Sequence, residues 1–234
     1  MCFGAAAIAA TSGKDARVTQ LIREVSLLPA DAPPRRAALN ETVHETTAVK
    51  TGGDSRAELS FPDLTITRLG ANSLYSFRNA GRRVELNGGS TLFRVPKDSG
   101  GGTILSSAVT VGITGTTVIL EQIRGGASRL TVLEGTARLT LAKYRDQQRA
   151  VTAGESLEVP PGATRLGEPK EIDLAALMKT SPLIVGFRPL PSQNLINNAI
   201  RQQQQRGPLN QNQPNRNGPQ RSQNIAPPPA PGPR

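Results

Sequence analysis

From about residue 43 to residue 160, apolar and polar side chains alternate in short runs, and a turn signal breaks the pattern every eight to twelve residues. In the stretch SRAELSFPDLTITRLG, Ala57, Leu59 and Phe61 lead on to Leu64, Ile66 and Leu69 with scarcely a gap. A period of two places every second side chain on one face of a strand. Strands are expected at 43–50, 55–61, 64–69, 73–78, 82–87, 90–95, 103–107, 109–113, 116–121, 129–134, 136–141 and 155–159. Between them stand Gly52-Gly53-Asp54, Pro62-Asp63, Asn79-Ala80-Gly81, Asn87-Gly88-Gly89, Gly100-Gly101-Gly102, Gly125-Gly126 and Ala153-Gly154. Short strands at this spacing specify an all-β sandwich, barrel or solenoid.

An internal echo leans toward the solenoid. VELNGGSTLFRV (84–95), VTVGITGTTVIL (109–120) and LTVLEGTARLTL (130–141) each run alternation, a glycine with Thr or Ser nearby, then alternation again. Glycine at such joints accepts a backbone conformation that a side chain opposes. Recurring strand–glycine–strand corners suit a solenoid-like stack of short strands. The core is aliphatic, since the chain has no Trp, two Tyr and five Phe.

The flanks read differently. In residues 16–28, Val18, Leu21, Ile22, Val25 and Leu28 fit helical spacing better than alternation. Residues 163–205 read as a linker with short helices, one around Ile172–Lys179 stopped before Pro182 and another over 192–204 capped by Ser192. These helices are expected to pack on the β stack or cover its open end, which otherwise exposes unpaired edges. Residues 206–234, rich in Asn, Gln, Pro and Arg, are too poor in apolar groups to order. Residues 193–234 hold five arginines and no acid, half of the net charge of +10, and such a tail attracts anions without specificity. Residues 1–15 read as a secretory signal that lacks its basic start, with Ala7-Ile8-Ala9 fitting small-x-small cleavage, or else as an Ala-rich leader. No segment reaches the 18 apolar residues of a membrane span.

Little in the chain points to chemistry. One cysteine, Cys2, forms no internal disulfide, and one histidine, His44, makes no two-histidine metal site. His44, in VHETTAV, reads as an ordinary strand residue. P-loop, GxGxxG and GxSxG signatures are missing, so no cofactor is expected. The acids Asp54, Glu58, Asp63, Glu121 and Glu134 are clustered, but Glu58 and Glu134 each lie beside turns or on alternating strands, where a surface carboxylate is ordinary. Arg56 and Arg68 are expected to pair with Asp54, Glu58 or Asp63 on adjacent rungs, and Glu134 to accept hydrogen bonds from turn amides.

Six motifs in order resemble the FecR domain over about residues 16–162: V-x-TGGDSRAELSF-x-D (49–63), TRLGANSLYSF (67–77), LNGGSTLFRVPK (86–97), AVTVGITGTT (108–117), VLEGTARL (132–139) and VTAGESLEVPPG (151–162). The resemblance implies a solenoid-like all-β domain outside the cytoplasmic membrane and turns residues 16–28 into a first strand. It marks Gly52, Ser55, Arg56, Glu58, Leu69, Gly70, Gly115, Thr116, Glu134, Gly135 and Gly154 as structural motif residues. Thr114 stands before Gly115-Thr116, where the family often has Arg. In the founding regulators such a domain receives a signal from an outer-membrane receptor while a cytoplasmic segment controls a sigma factor.

The expected function is a non-enzymatic, exported interaction module of the periplasm or cell envelope, with a protein or glycan partner and no catalytic or metal residues. The alternative is a FecR-type regulator of a sigma factor whose N-terminal part lies upstream of this sequence.

Overall fold

The computed structural model describes residues 14–123 and 125–206; the leader with Cys2 and the tail beyond Arg206 lie outside them. Strand β1 (Ala16–Ile22) opens one sheet, while β2 (Val25–Pro29) and β3 (Arg35–Arg36) lie in a second. The chain returns to the first sheet for β4 (Thr42–Val43), crosses for β5 (Thr47–Thr51), and comes back for the hairpin β6 (Arg56–Ser60) and β7 (Ile66–Leu69). The second sheet takes β8 (Leu74–Arg78) and β9 (Arg83–Leu86), and the first takes β10 (Ser90–Val95). The pairs β11 (Gly102–Leu105) with β12 (Val109–Ile113), β13 (Thr116–Gln122) with β14 (Ser128–Glu134), and β15 (Thr136–Leu141) with β16 (Gln148–Thr152) go to the second, first and second sheets in turn. Last come β17 (Glu155–Val159) and β18 (Lys170–Glu171) in the first sheet, then helices α1 (Leu174–Thr180) and α2 (Gln193–Gln205).

The described residues are thus mostly β, in two nine-stranded sheets. The first has the order β18-β17-β14-β13-β10-β7-β6-β1-β4 and the second β16-β15-β12-β11-β9-β8-β5-β2-β3; neither closes into a barrel. All pairings are antiparallel except β9 with β11, where β10 in the opposite sheet supplies the crossover that a parallel pair requires. As the chain shuttles between sheets it advances from the β4 end toward the β18 end.

Between the sheets lies one aliphatic core, in which Val49, Leu86 and Val111 pack with Leu59, Leu69, Leu120 and Val132. Its aromatic centre is small: Phe61 meets Phe77 edge to face at 5.0 Å, and the buried Tyr75 hydroxyl pairs with Thr67 Oγ1 at 3.1 Å. The first sheet is also buried on its other face. There Leu92, Ile119 and Leu133 pack with Leu174, Leu183, Leu190 and Ile196, so β13 buries five consecutive residues, Thr116–Leu120. The helices therefore cover a face of the first sheet rather than an open end.

Residues 16–28 form strands, against their helical spacing. Arg23, at φ 62°, breaks the run, and β1 and β2 then go to different sheets. β16 escaped the sequence pattern because only Val151 in QRAVT is buried. The glycine echo is a set of corners in which Gly88, Gly89, Gly115 and Gly135 all have positive φ. Gly135 shows why a side chain is excluded. At φ 80° its Cβ would stand 2.9 Å from the Gly115 carbonyl oxygen and from Thr116 Oγ1.

Candidate functional site

The alternation that turns Thr67 and Leu69 into the core turns Arg68 to the outer face of the first sheet, opposite Glu58 in the β6–β7 register. Arg68 Nε donates to Glu58 Oε2 at 2.8 Å, and Thr19 Oγ1 donates to Glu58 Oε1 at 2.7 Å. Both charged residues are buried, Arg68 at 1% and Glu58 at 8% exposure, so Glu58 is no surface carboxylate. Burial pushes the Arg68 pKa down, while the hydrogen bond and charge of Glu58 hold it up.

What buries them is the irregular segment 181–190 between the helices. Arg68 Nη1 donates to the Leu183 carbonyl at 3.2 Å and Nη2 to that of Arg188 at 2.5 Å, with the Phe187 ring 4.7 Å from the guanidinium carbon. Arg56 Nη1 reaches the carbonyls of Pro182 at 3.1 Å and Val185 at 3.0 Å, and Gln20 Nε2 that of Gly186 at 2.6 Å. Five backbone carbonyls of this strap are thus held by three side chains of β1, β6 and β7. The planar, always-charged guanidinium suits the task because its fixed fork of donors reaches several acceptors at once.

Beside the strap opens a cleft of about 810 Å³, lined among others by Arg23, Asp54, Arg56, Glu121, Arg129 and Val185. Arg23 pairs with Asp54 at 3.1 Å, and Arg129 with Glu158 at 2.9 Å and Glu121 at 3.8 Å. Burial raises the Glu121 pKa against the opposing pull of Arg129. Corners of the chain form the wall. Thr51 Oγ1 donates to the Gly70 carbonyl at 2.6 Å and accepts from Ser73 N at 2.9 Å, while Ser73 Oγ accepts from Ser90 N at 3.0 Å. Ser55 Oγ accepts from Glu24 N at 3.0 Å, beside Gly52, whose amide bonds the Glu24 carbonyl at 3.0 Å.

The motif residues therefore divide between two ends of the strands. Gly52, Ser55, Arg56, Leu69 and Gly70 gather at the cleft end, with Glu58 one turn of the pleat inside. Gly115, Thr116, Glu134, Gly135 and Gly154 gather at the other, where Thr116 Oγ1 lies 3.1 Å from the carbonyls of Thr114 and Thr136, and Gly154 N bonds the Val132 carbonyl at 2.9 Å.

Several expected partners are replaced. Glu134 accepts from the Thr117 hydroxyl at 2.8 Å rather than from turn amides, and is buried; burial raises its pKa, with the Thr117 bond and then Arg94 and Lys97 opposing. Ser192 sits at the N-cap of α2 but makes no capping bond, because its hydroxyl meets that of Thr117 at 2.9 Å. His44 stands in the exposed turn after β4, with Nδ1 3.1 Å from Asp15 Oδ2. Arg56 binds carbonyls instead of an acid, and Asp63 is shared by Thr65 and Arg82. The acids singled out in the sequence each have a separate partner, and the described residues bring no three of them, with His or Cys, into a metal-binding group. Gln20, Thr19 and the strap carbonyls escaped the sequence reading; a carbonyl carries no side-chain signature.

Among the described residues, the buried Arg68–Glu58 pair thus holds a segment of backbone against the outer face of the first sheet. Residues 47–138 match the family model described as FecR protein. Two solved structures, each described as that of "a putative anti-sigma factor from Parabacteroides distasonis ATCC 8503", are similar to it at 15% and 13% identity, with TM-scores of 0.49 and 0.48. Each match covers 56% of this chain, and 62% and 63% respectively of the solved chains. No curated protein matches the chain.

Proposed function

We propose that the protein is a non-enzymatic, exported interaction module of the cell envelope, and that the cleft between the corner wall and the strap docks a segment of a protein partner. The observation that carries this reading is the carbonyl-binding array of Arg68, Arg56 and Gln20, which already seats an irregular backbone segment beside an 810 Å³ cleft. A protein is preferred to a glycan because the cleft lining includes no aromatic ring on which a sugar would stack. The stack serves as a rigid, solenoid-like scaffold in the sense that the chain advances along it step by step. The basic tail adds attraction for anions without choosing among them.

Two experiments test it. A photo-crosslinking residue at Val185, in the cleft, should give a discrete protein adduct in native cells, whereas one at Ala150, on the opposite sheet, should not. Equal adducts at both positions, or none at Val185, sink the cleft as the docking site. N-terminal sequencing of protein from fractionated cells tests export: a start near Ala10 in the periplasmic or secreted fraction supports it. A longer, uncleaved protein in the inner membrane would instead favour a FecR-type regulator of a sigma factor, the second reading that the family match supports.

A further inference from the structure

The two sheets differ in what their outer faces meet. The first is covered by the strap and helices, whose apolar side chains form a second buried cluster with Leu92, Ile119 and Leu133; among the described residues no such cluster lies on the second. Pairing registers place its outward side chains in rows across the strands. One row runs Arg78, Arg83, Thr103, Gly112, Arg138, Ala150, and another Arg36, Ser26, Lys50, Leu74. The five cations of these rows are all exposed, and none has an ion-pair partner among the described residues. Arg138 makes a hydrogen bond to Gln148 Oε1 at 3.3 Å, and Glu85 is the single acid in the adjoining row.

Arg78 and Arg83 stand directly opposite each other, a like-charge pair that destabilises a sheet unless something outside it compensates. The remaining cations are spread in two dimensions. Three strand spacings separate Arg83 from Arg138, about 14 Å, and four residues separate the two rows, about 13 Å. Such distances exceed the Debye length of about 8 Å at physiological salt, so these cations scarcely repel one another and each is free to meet a separate anionic group.

We propose that the outer face of the second sheet docks on an anionic lipid surface. The shape of the charge array selects this occupant. The pairing registers set these cations in two straight rows across neighbouring strands of one continuous sheet, a broad face apart from the cleft beside the strap, which none of them lines. The aromatic residues of its strands, Tyr75 and Phe77, point into the core, so the two rows carry no ring to stack on a base or a sugar. A planar array of spaced cations matches a planar array of headgroups, and juxtamembrane cations bind such surfaces additively. This inference stands apart from the cleft and survives if the cleft reading fails.

The test is co-sedimentation of the full chain with vesicles of phosphatidylcholine alone or with about one third phosphatidylglycerol, at low and physiological salt. Binding to the anionic vesicles only is expected, weakening with salt, and falling roughly a hundredfold in R78Q/R83Q/R138Q. The tail variant R216Q/R221Q/R234Q should retain most of the binding, and Ala150→Glu, which places an acid in the Arg138 row, should weaken it if the triple variant fails to fold. Equal binding to both vesicle types overturns the proposal. So does a tail variant that loses the binding while the sheet variant keeps it. Retention on heparin without binding to vesicles would also overturn it, in favour of a soluble acidic polymer.

Discussion

Replacing Arg68 by Met tests whether the buried ion pair holds the strap in place. The substitution keeps most of the apolar stem and removes three hydrogen bonds, to Glu58, Leu183 and Arg188, together with the contact to Phe187. What remains is a carboxylate at 8% exposure whose side-chain hydrogen bond is the one from Thr19, and a Leu183 carbonyl without its donor. Breaking one side of a buried pair costs about 3–5 kcal/mol, chiefly because the surviving charge stays desolvated. Against a domain stability of about 5–15 kcal/mol that is a large fraction. Urea unfolding of Arg68→Met should therefore show a loss of stability of that size, read as a lower midpoint at unchanged slope. The double variant Arg68→Met with Glu58→Leu should recover much of the loss, because no unpaired charge is left behind. Hydrogen exchange adds the local reading: amides of 181–190 should lose protection before those of β13. A loss below about 1 kcal/mol, or two single losses that add in the double variant, would refute the idea that these groups act as a coupled pair.

Three further outcomes follow from the geometry. Gly135→Ala should cost at least about 2 kcal/mol in urea unfolding, since it forces a positive φ and a backbone clash, whereas Gly154→Ala, facing only the flexible end of Gln203 at 3.3 Å, should cost about 1–2 kcal/mol for the φ alone. Ile196→Ala, which removes the fully buried anchor of α2, should cost about 2–5 kcal/mol and expose the helix to limited proteolysis. Because burial raises the Glu134 pKa above its ordinary 4.5, the folded state holds that proton more tightly than the unfolded chain. Stability contributed by this group is then fullest below 4.5 and is lost as pH rises through the folded value; Glu134→Gln should be relatively more stable near neutral pH than wild type, and the gap should close in unfolding curves below pH 4.5.

Strand positions were legible because alternation is a local property. Val109, Val111 and Ile113 announce one strand wherever its neighbours lie. Corner glycines were legible for the same reason, since positive φ at Gly115 and Gly135 is a demand of the chain on itself. Residues 16–22 misled the periodicity because half-buried Leu21 and Ile22 follow the buried Val18 at helical spacing, and only pairing with β6 decides for strand. The pairing of Arg68 with Glu58 on adjacent rungs was among the expected ones. Their burial was not visible, because it depends on a strap more than a hundred residues downstream whose contribution is carbonyl oxygen. Thr117 and Ser192 likewise meet across 75 residues, so no local rule warned that the cap hydroxyl of α2 is diverted.

The way the strap is held also limits what can choose it. Arg56, Arg68 and Gln20 bind main-chain carbonyls, which any sequence supplies equally, so these donors fix position and direction but discriminate poorly among occupants. Selection must come from the apolar side chains that enter the outer layer, Leu183 and Leu190 in the strap and Ile196 in α2, packed with Leu92, Ile119 and Leu133. Exchanging a methylene there leaves every hydrogen bond of the strap intact and still costs about 1 kcal/mol or more. Substitutions at Leu183 and Leu190 should thus alter how firmly this segment competes for the face, while substitutions at exposed Val185 should leave its seating unchanged. The face is therefore general in its polar contacts and particular in its apolar ones, an arrangement suited to holding one segment in a fixed place beside a cleft that remains open.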